Sequence, residues 1–438
     1  MPGRKTLTDR RRAWFVTAVI GALVVLAAGC SGPAKAIGRK PKPTPPAAAV
    51  AITPANGAKN IKPNDPVTVH ATRGTLRSVT VTAGHDTVAG SYNKDSTDWM
   101  NTWDLTPATT YTVTAVAAGN SGKPVTTTST FRTLTPHNTF TTQIFEAQGQ
   151  TYGVGMPIML NFSQPIPDSY KAAVERALQV KSSNPVVGAW FWDGDETLAF
   201  RPKDYWPAGT QVTLDGHLAG VEGAPGTYAT SDLTQTFNIG DSLIAYVSPA
   251  THHAEIWKNG HHIYTWPIST GTPGDDTPAG NFLTIDKGNP VEMKPADIPK
   301  GAPGYYDENV YWSVRFTWSG DYMHSAPWSV GEQGSANVSH GCVNLPPSAA
   351  ETYYKMEVPG DPVVVTGSPV KGAWDDGWTE WFLSWHKLLA GSATGEAVEA
   401  GPNGSQFVSP DSLNTPAPSA PAAGTAAPSA HPSPSAHG

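Results

Sequence analysis

The residues best suited to chemistry are Tyr322-Met323-His324-Ser325 and, downstream, Ser339-His340-Gly341-Cys342-Val343-Asn344. A thiol becomes a strong nucleophile only as thiolate, and a neighbouring imidazole lowers its pKa by pairing with it. A glycine before the cysteine lets backbone amides converge on the attacked carbonyl and form an oxyanion hole. His-Gly-Cys alone is a weak match. Joined to His324-Ser325 upstream, Asn344 downstream and a thiol without a mate, it points to acyl transfer through a cysteine. The chain has only two cysteines, Cys30 and Cys342.

This constellation resembles the catalytic motif of the L,D-transpeptidases, His-x-x, a spacer, then Ser/Thr-His-Gly-Cys-hydrophobic-Asn, in a YkuD-type domain. The likeness is greatest to actinobacterial enzymes that place two immunoglobulin-like modules and a lipoprotein signal ahead of it, and covers about residues 50–390. The resemblance implies that Cys342 attacks the carbonyl before D-Ala in a stem tetrapeptide of peptidoglycan. It makes His324 the general base, oriented through the Ser325 backbone carbonyl in place of a third side chain. The amides of His340, Gly341 and Cys342 would hold the oxyanion. Tyr306 (with Tyr305 adjacent), on a lid over about residues 288–312, would flank the substrate with Trp328 and Ser339. Asn344 would fix the catalytic loop. A thioester keeps the energy of the cleaved amide where no ATP is available, and an acceptor amine resolves it into a 3→3 cross-link. Donor and acceptor stem peptides are the implied partners, carbapenem-type β-lactams the implied covalent inhibitors, and no cofactor is implied. Actinobacterial likeness favours meso-diaminopimelate as the third stem residue. An L,D-carboxypeptidase, a transpeptidase tethering proteins to stems, and a non-enzymatic wall-binding lipoprotein stay open as alternatives.

The N-terminus gives these residues a compartment. Arg4, Lys5 and Arg10-Arg11-Arg12 precede an apolar run from Trp14 to Ala28, shorter than the roughly 20 residues of a membrane span. A basic head, short apolar centre and small-residue end read as an export signal, by the general or the twin-arginine route. Leu26-Ala27-Ala28-Gly29-Cys30 resembles a lipobox, which implies cleavage before Cys30, acylation of its thiol and anchoring to the outer face of the cell membrane. Cys342 then has no intramolecular partner, which marks it as a reactive group in a compartment that favours paired cysteines. The net charge of −7 and the lack of a basic face exclude nucleic acid as a partner. The pairs His252-His253 and His261-His262 flank a hairpin as exposed positions without the spacing of a zinc site, so no metal is expected.

Short alternating strands separated by turn residues predict a mostly β chain. After the signal (1–30) and a Pro/Ala-rich tether (31–50), two tandem immunoglobulin-like β-sandwiches are expected at 51–136 and 137–240, each about the usual size of such modules. Pro107-Ala108-Thr109-Thr110-Tyr111-Thr112-Val113 is echoed by Pro207-Ala208-Gly209-Thr210-Gln211-Val212-Thr213. The alternation from Tyr152 to Phe162 predicts one strand with one face solvated. Asp168 is expected to N-cap a helix over Ser169–Val180. The catalytic β-sandwich is assigned to 241–368, with a hairpin at Asn259-Gly260 and a short helix over Ser348–Met356. A Trp-rich, partly helical appendage (369–392) should turn Trp374, Trp378, Trp381 and Trp385 onto the catalytic domain. The Ala/Pro/Ser-rich remainder, 393–438, is expected to be disordered.

Overall fold

A computed structural model describes residues 47–414, apart from 120–121, 296–297, 303–304 and 379. The proposed signal and Cys30 lie outside the described residues, among which no helix is long and apolar enough to cross a membrane. The chain is mostly β. In the first sandwich one sheet has the order Ala49–Thr53, Thr68–Thr72, Asp98–Asn101, Gly90–Tyr92; the other is Asp86–Thr87, Gly74–Ala83, Thr110–Gly119, Pro124–Arg132. Tyr111, Val113, Ala115 and Ala117 alternate inward along one strand and meet Val69, Trp99 and Phe131 in the core, as a period of two requires.

The second sandwich departs from the sequence reading in four places. The run from Tyr152 to Phe162 is two strands, Thr151–Tyr152 in one sheet and Ile158–Phe162 in the other. Between them Gly153 and Gly155 donate backbone hydrogen bonds to Pro359 and Gly360 of the next domain (2.9 and 3.0 Å), so both faces are buried. The helix spans Asp168–Arg176 with Pro167 at its N-cap. The Asp168 carboxylate instead takes a bond from Lys171 (2.8 Å), and Leu178–Ser182 leaves the helix as a strand with alternate residues buried.

The third departure is the C-terminal segment, which is ordered past residue 393. Ala397–Gly401 and Gly404–Val408 form a hairpin that extends the sheet edge at Val186–Gly188. Small apolar Ala397, Val398 and Ala400 are buried there, and Pro402-Asn403 makes the turn. Just before it, the buried Glu175 accepts bonds from Ser392, Ala393 and Thr394 as well as from Trp192. The fourth is the Trp-rich segment, a 3₁₀ turn Glu380–Phe382 and a helix Trp385–Ala390 capped by Ser384, which lies chiefly on the second sandwich. Trp381 donates to the Gly155 carbonyl (2.7 Å) and packs on Tyr205 and the Arg201 guanidinium. Trp374 edges Phe191, Trp378 edges Phe145, and Trp385 faces Lys203. Contact with the catalytic domain runs through Phe382 on Phe282 and Trp378 on Trp318.

The catalytic domain is built on two sheets. One has the order His261–Pro267, His253–Lys258, Leu243–Ser248, Pro362–Val365, Gly280–Leu283; the other is Asp286–Gly288, Ser313–Arg315, Tyr322–Ser325, Val343–Leu345. Asn259 and Gly260 both take positive φ (49° and 77°), the backbone a two-residue hairpin turn needs. Helix Pro347–Met356 buries Tyr353 against Val314, Phe316 and Met323 between the sheets.

Candidate active site

The site grows from two parallel strands. Tyr322–Ser325 and Val343–Leu345 pair with His324 opposite Asn344, so Cys342, one residue before its strand, arrives beside the start of the histidine strand. His324 is 3% exposed, and its Nδ1 lies 3.0 Å from the Ser325 carbonyl oxygen. A carbonyl only accepts, so Nδ1 carries the proton and Nε2 is left as a base. The Cys342 sulfur sits 3.7 Å from the Gly320 carbonyl. The Tyr322 amide also donates to the sulfur, favouring its thiolate.

Burial dominates the electrostatics of this pair. It pushes the Cys342 thiol up to about 12, helped by the nearby Asp321 carboxylate and opposed by the Tyr322 N–H. It pushes His324 down to about 4, against the pull of the Ser325 carbonyl. Both shifts favour the uncharged forms. Burial thus works against the expected resting thiolate, and the Tyr322 N–H works for it.

The loop before Cys342 is held from several sides. Gly341 has φ of +124°, open only to glycine, and a Cβ there would come 2.6 Å from Asp321 Oδ1. Thr277 Oγ1 donates to the Gly341 carbonyl and accepts from the Gly271 amide. Ser339 Oγ donates to the Cys342 carbonyl (2.6 Å) and accepts from the Gly341 amide (3.2 Å). Two expectations change as a result. The Ser339 hydroxyl is engaged within the loop rather than offered to a substrate, and the Gly341 amide is occupied. Among the described residues no partner claims the His340 or Cys342 amide, which leaves those two for an oxyanion.

The other sequence-picked residues surround a cleft of about 870 Å³ shared by Tyr306, His324, Trp328, His340, Cys342 and Asn344. Tyr306 stacks on the exposed His340 ring (5.2 Å, 25°). It sits just before Glu308–Val310, which pairs with Val291–Met293 as the base of the expected lid. Trp328 is 56% exposed, with its ring 6.0 Å from that of His324. Asn344 is buried, and its side-chain amide donates to Ser329 Oγ (3.0 Å), which ties down the turn that carries Trp328. His252, half-buried rather than exposed, bonds Asn337 in the same loop (2.9 Å). Sequence reasoning missed Thr277, Gly320, Asp321 and the Tyr322 amide. Three of these act through backbone atoms or upon one, and such contacts leave no side-chain pattern to find.

A nucleophile, a base with a defined tautomer, two unclaimed amides and a deep cleft are the parts of an acyl-transfer site. The L,D-transpeptidase catalytic domain matches residues 242–365, and the bacterial Ig domain matches residues 58–222. The chain is 35% identical over 361 residues to L,D-transpeptidase 5 of Mycobacterium tuberculosis, covering 80% of this chain and 78% of that protein. It is 31% identical over 401 residues to L,D-transpeptidase 2 of Mycobacterium tuberculosis, covering 88% and 97%. A solved LD transpeptidase in complex with imipenem is 34% identical, covers 53% of this chain and 100% of its own, and has a TM-score of 0.46. The chain belongs to the L,D-transpeptidase family.

Proposed function

We propose that this transpeptidase forms 3→3 cross-links in peptidoglycan through a thioester on Cys342. The observation that carries the proposal is Cys342 and the buried His324 lining one cleft, with the imidazole held by the Ser325 carbonyl at 3.0 Å. As Sγ attacks the carbonyl before the terminal D-Ala, its proton passes to His324 Nε2. The negative oxygen is met by the His340 and Cys342 amides. Collapse of the adduct breaks the C–N bond, and the protonated imidazole delivers its proton to the departing D-Ala amine. The acceptor amine then attacks the thioester, the C–S bond breaks, and the thiol is restored through His324. Tyr306 and His340, stacked together in the cleft, screen the thioester from water. Trp328 lines the cleft, and Asn344 holds the turn that carries it. In this proposal the protein is exported, acylated on Cys30 and held at the outer face of the membrane, so that the two sandwiches carry the site into the wall.

A carbapenem should add its covalent mass once to the wild-type chain and not to Cys342→Ala. With a stem tetrapeptide as donor, muropeptide analysis should show D-Ala release together with a cross-linked dimer. D-Ala release without any dimer would replace the transferase by an L,D-carboxypeptidase. No adduct and no D-Ala release would leave a wall-binding protein.

A further inference from the structure

The Phe316–Tyr322 turn presents a carboxylate in the cleft of the reacting sulfur that the mechanism above does not use. The Asp321 amide donates to Thr317 Oγ1 (2.7 Å), its carbonyl accepts from the Phe316 amide (3.0 Å), and its Oδ2 accepts from Thr317 Oγ1 (3.2 Å). Among the described residues Thr317 alone donates to this carboxylate. Oδ1 faces Gly341, so close that only a glycine fits there. Asp321 lines the same cleft as Cys342, near enough for its negative charge to push the thiol's pKa up. This arrangement opposes the first half-reaction, because a negative charge beside a thiol disfavours the thiolate. A group that hinders acylation in that way has a use in the second half-reaction, where the incoming nucleophile arrives as an ammonium ion.

We propose that Asp321 is the acceptor-binding residue of this enzyme, its Oδ1 pairing with the ammonium of the acceptor stem beside the Cys342 thioester. The inference rests on the transpeptidase reading above. The acceptor R–NH₃⁺ docks on the carboxylate and gives it one proton. The neutral amine attacks the thioester carbonyl, forming the C–N bond, and its second proton goes to His324 Nε2. The C–S bond breaks, His324 returns that proton to sulfur, and Asp321 releases its own to water. Partial burial and the nearby Asp376 carboxylate raise Asp321 to about 6, which makes it a better proton acceptor than an ordinary carboxylate. Water carries no positive charge, so this carboxylate favours aminolysis of the thioester over hydrolysis.

The test uses the full chain with Asp321→Asn, which keeps the shape and removes the charge. Carbapenem adduct formation should proceed as in the wild type or faster, which also reports an intact site. With tetrapeptide donor and stem acceptor, dimer formation should fall about tenfold or more, the scale of a lost charge-assisted bond. Donor hydrolysis to tripeptide should persist, and the loss should appear in the KM for acceptor more than in kcat. An unchanged dimer-to-tripeptide ratio would overturn the proposal, whether both products persisted or both fell together. If the wild type itself released D-Ala without dimer, the transpeptidase reading would fail first, and Asp321→Asn would leave carbapenem acylation intact all the same.

Discussion

At the scale of single residues, the site separates chemistry from support. Burial pushes the His324 imidazole down to about 4 and the Cys342 thiol up to about 12. Shifts in these directions predict a neutral reactive pair, whose base is lost as pH falls through the histidine's lowered pKa. Carbapenem acylation should stay level across neutral pH and collapse towards about pH 4. A bell centred near pH 7 would restore the thiolate–imidazolium pair and reject the neutral one. Support is testable at Thr277, whose hydroxyl holds the Gly341 carbonyl. Thr277→Val keeps the shape but leaves that carbonyl without its donor. Acylation should slow about tenfold, with a stability cost of about 1 kcal/mol, and Thr277→Ser should recover most of the rate. Equal rates for Val and Ser would show that the loop holds its geometry without this bond. The residues legible in the sequence were those whose side chains react or stack: Cys342, His324, Tyr306, Trp328. Ser339 was legible as a member of the motif but not in its use, because its hydroxyl serves the loop's own amide and carbonyl.

At the scale of elements, period-two alternation predicted strands well where one face met a core, as along Thr110–Gly119. It failed from Tyr152 to Phe162 because another domain covers the second face there, and two glycines, not two side chains, make the contact. Composition likewise misread the segment after residue 393. Small residues and a Pro-Asn turn look the same in an unstructured tail and in a hairpin that adds to a sheet edge. What distinguishes them is the unpaired edge at Val186–Gly188, which only the fold supplies. The hairpin and the adjacent Arg176–Glu396 ion pair (2.7 Å) tie the C-terminal segment to the second sandwich. Deleting residues 395–438 would bare that edge and the apolar cluster of Ala189, Leu388 and Leu389. We expect the melting temperature to fall by more than about 4 °C, while Cys342 still forms its carbapenem adduct at room temperature. An unchanged melting temperature would mean that the hairpin adds nothing to the sandwich.

For the whole molecule, the boundary near residue 241 separates two cores that meet in a buried seam. Leu283 and Ile285 of the catalytic domain belong to the same buried cluster as Val154, Met156 and Trp206 of the second sandwich. Pro359 and Gly360 receive the Gly153 and Gly155 amides, and Trp381 closes the seam on the Gly155 carbonyl. A buried seam couples the two cores, because neither half can expose its side of it without losing the other's burial. The second sandwich and the catalytic domain should therefore unfold in one calorimetric transition. Gly155→Val tests the coupling in the full chain: even its Cβ would come 2.2 Å from a Leu283 methyl and 2.9 Å from the Gly360 carbonyl oxygen. Overpacking of this kind costs about 1–3 kcal/mol. The shared transition should move down or split in two, and the rate of carbapenem acylation should fall with it, although Gly155 does not line the cleft. If the variant melted like the wild type, or if the wild type already showed separate transitions for the two bodies, the seam would be a contact between independent domains rather than a coupling of their cores.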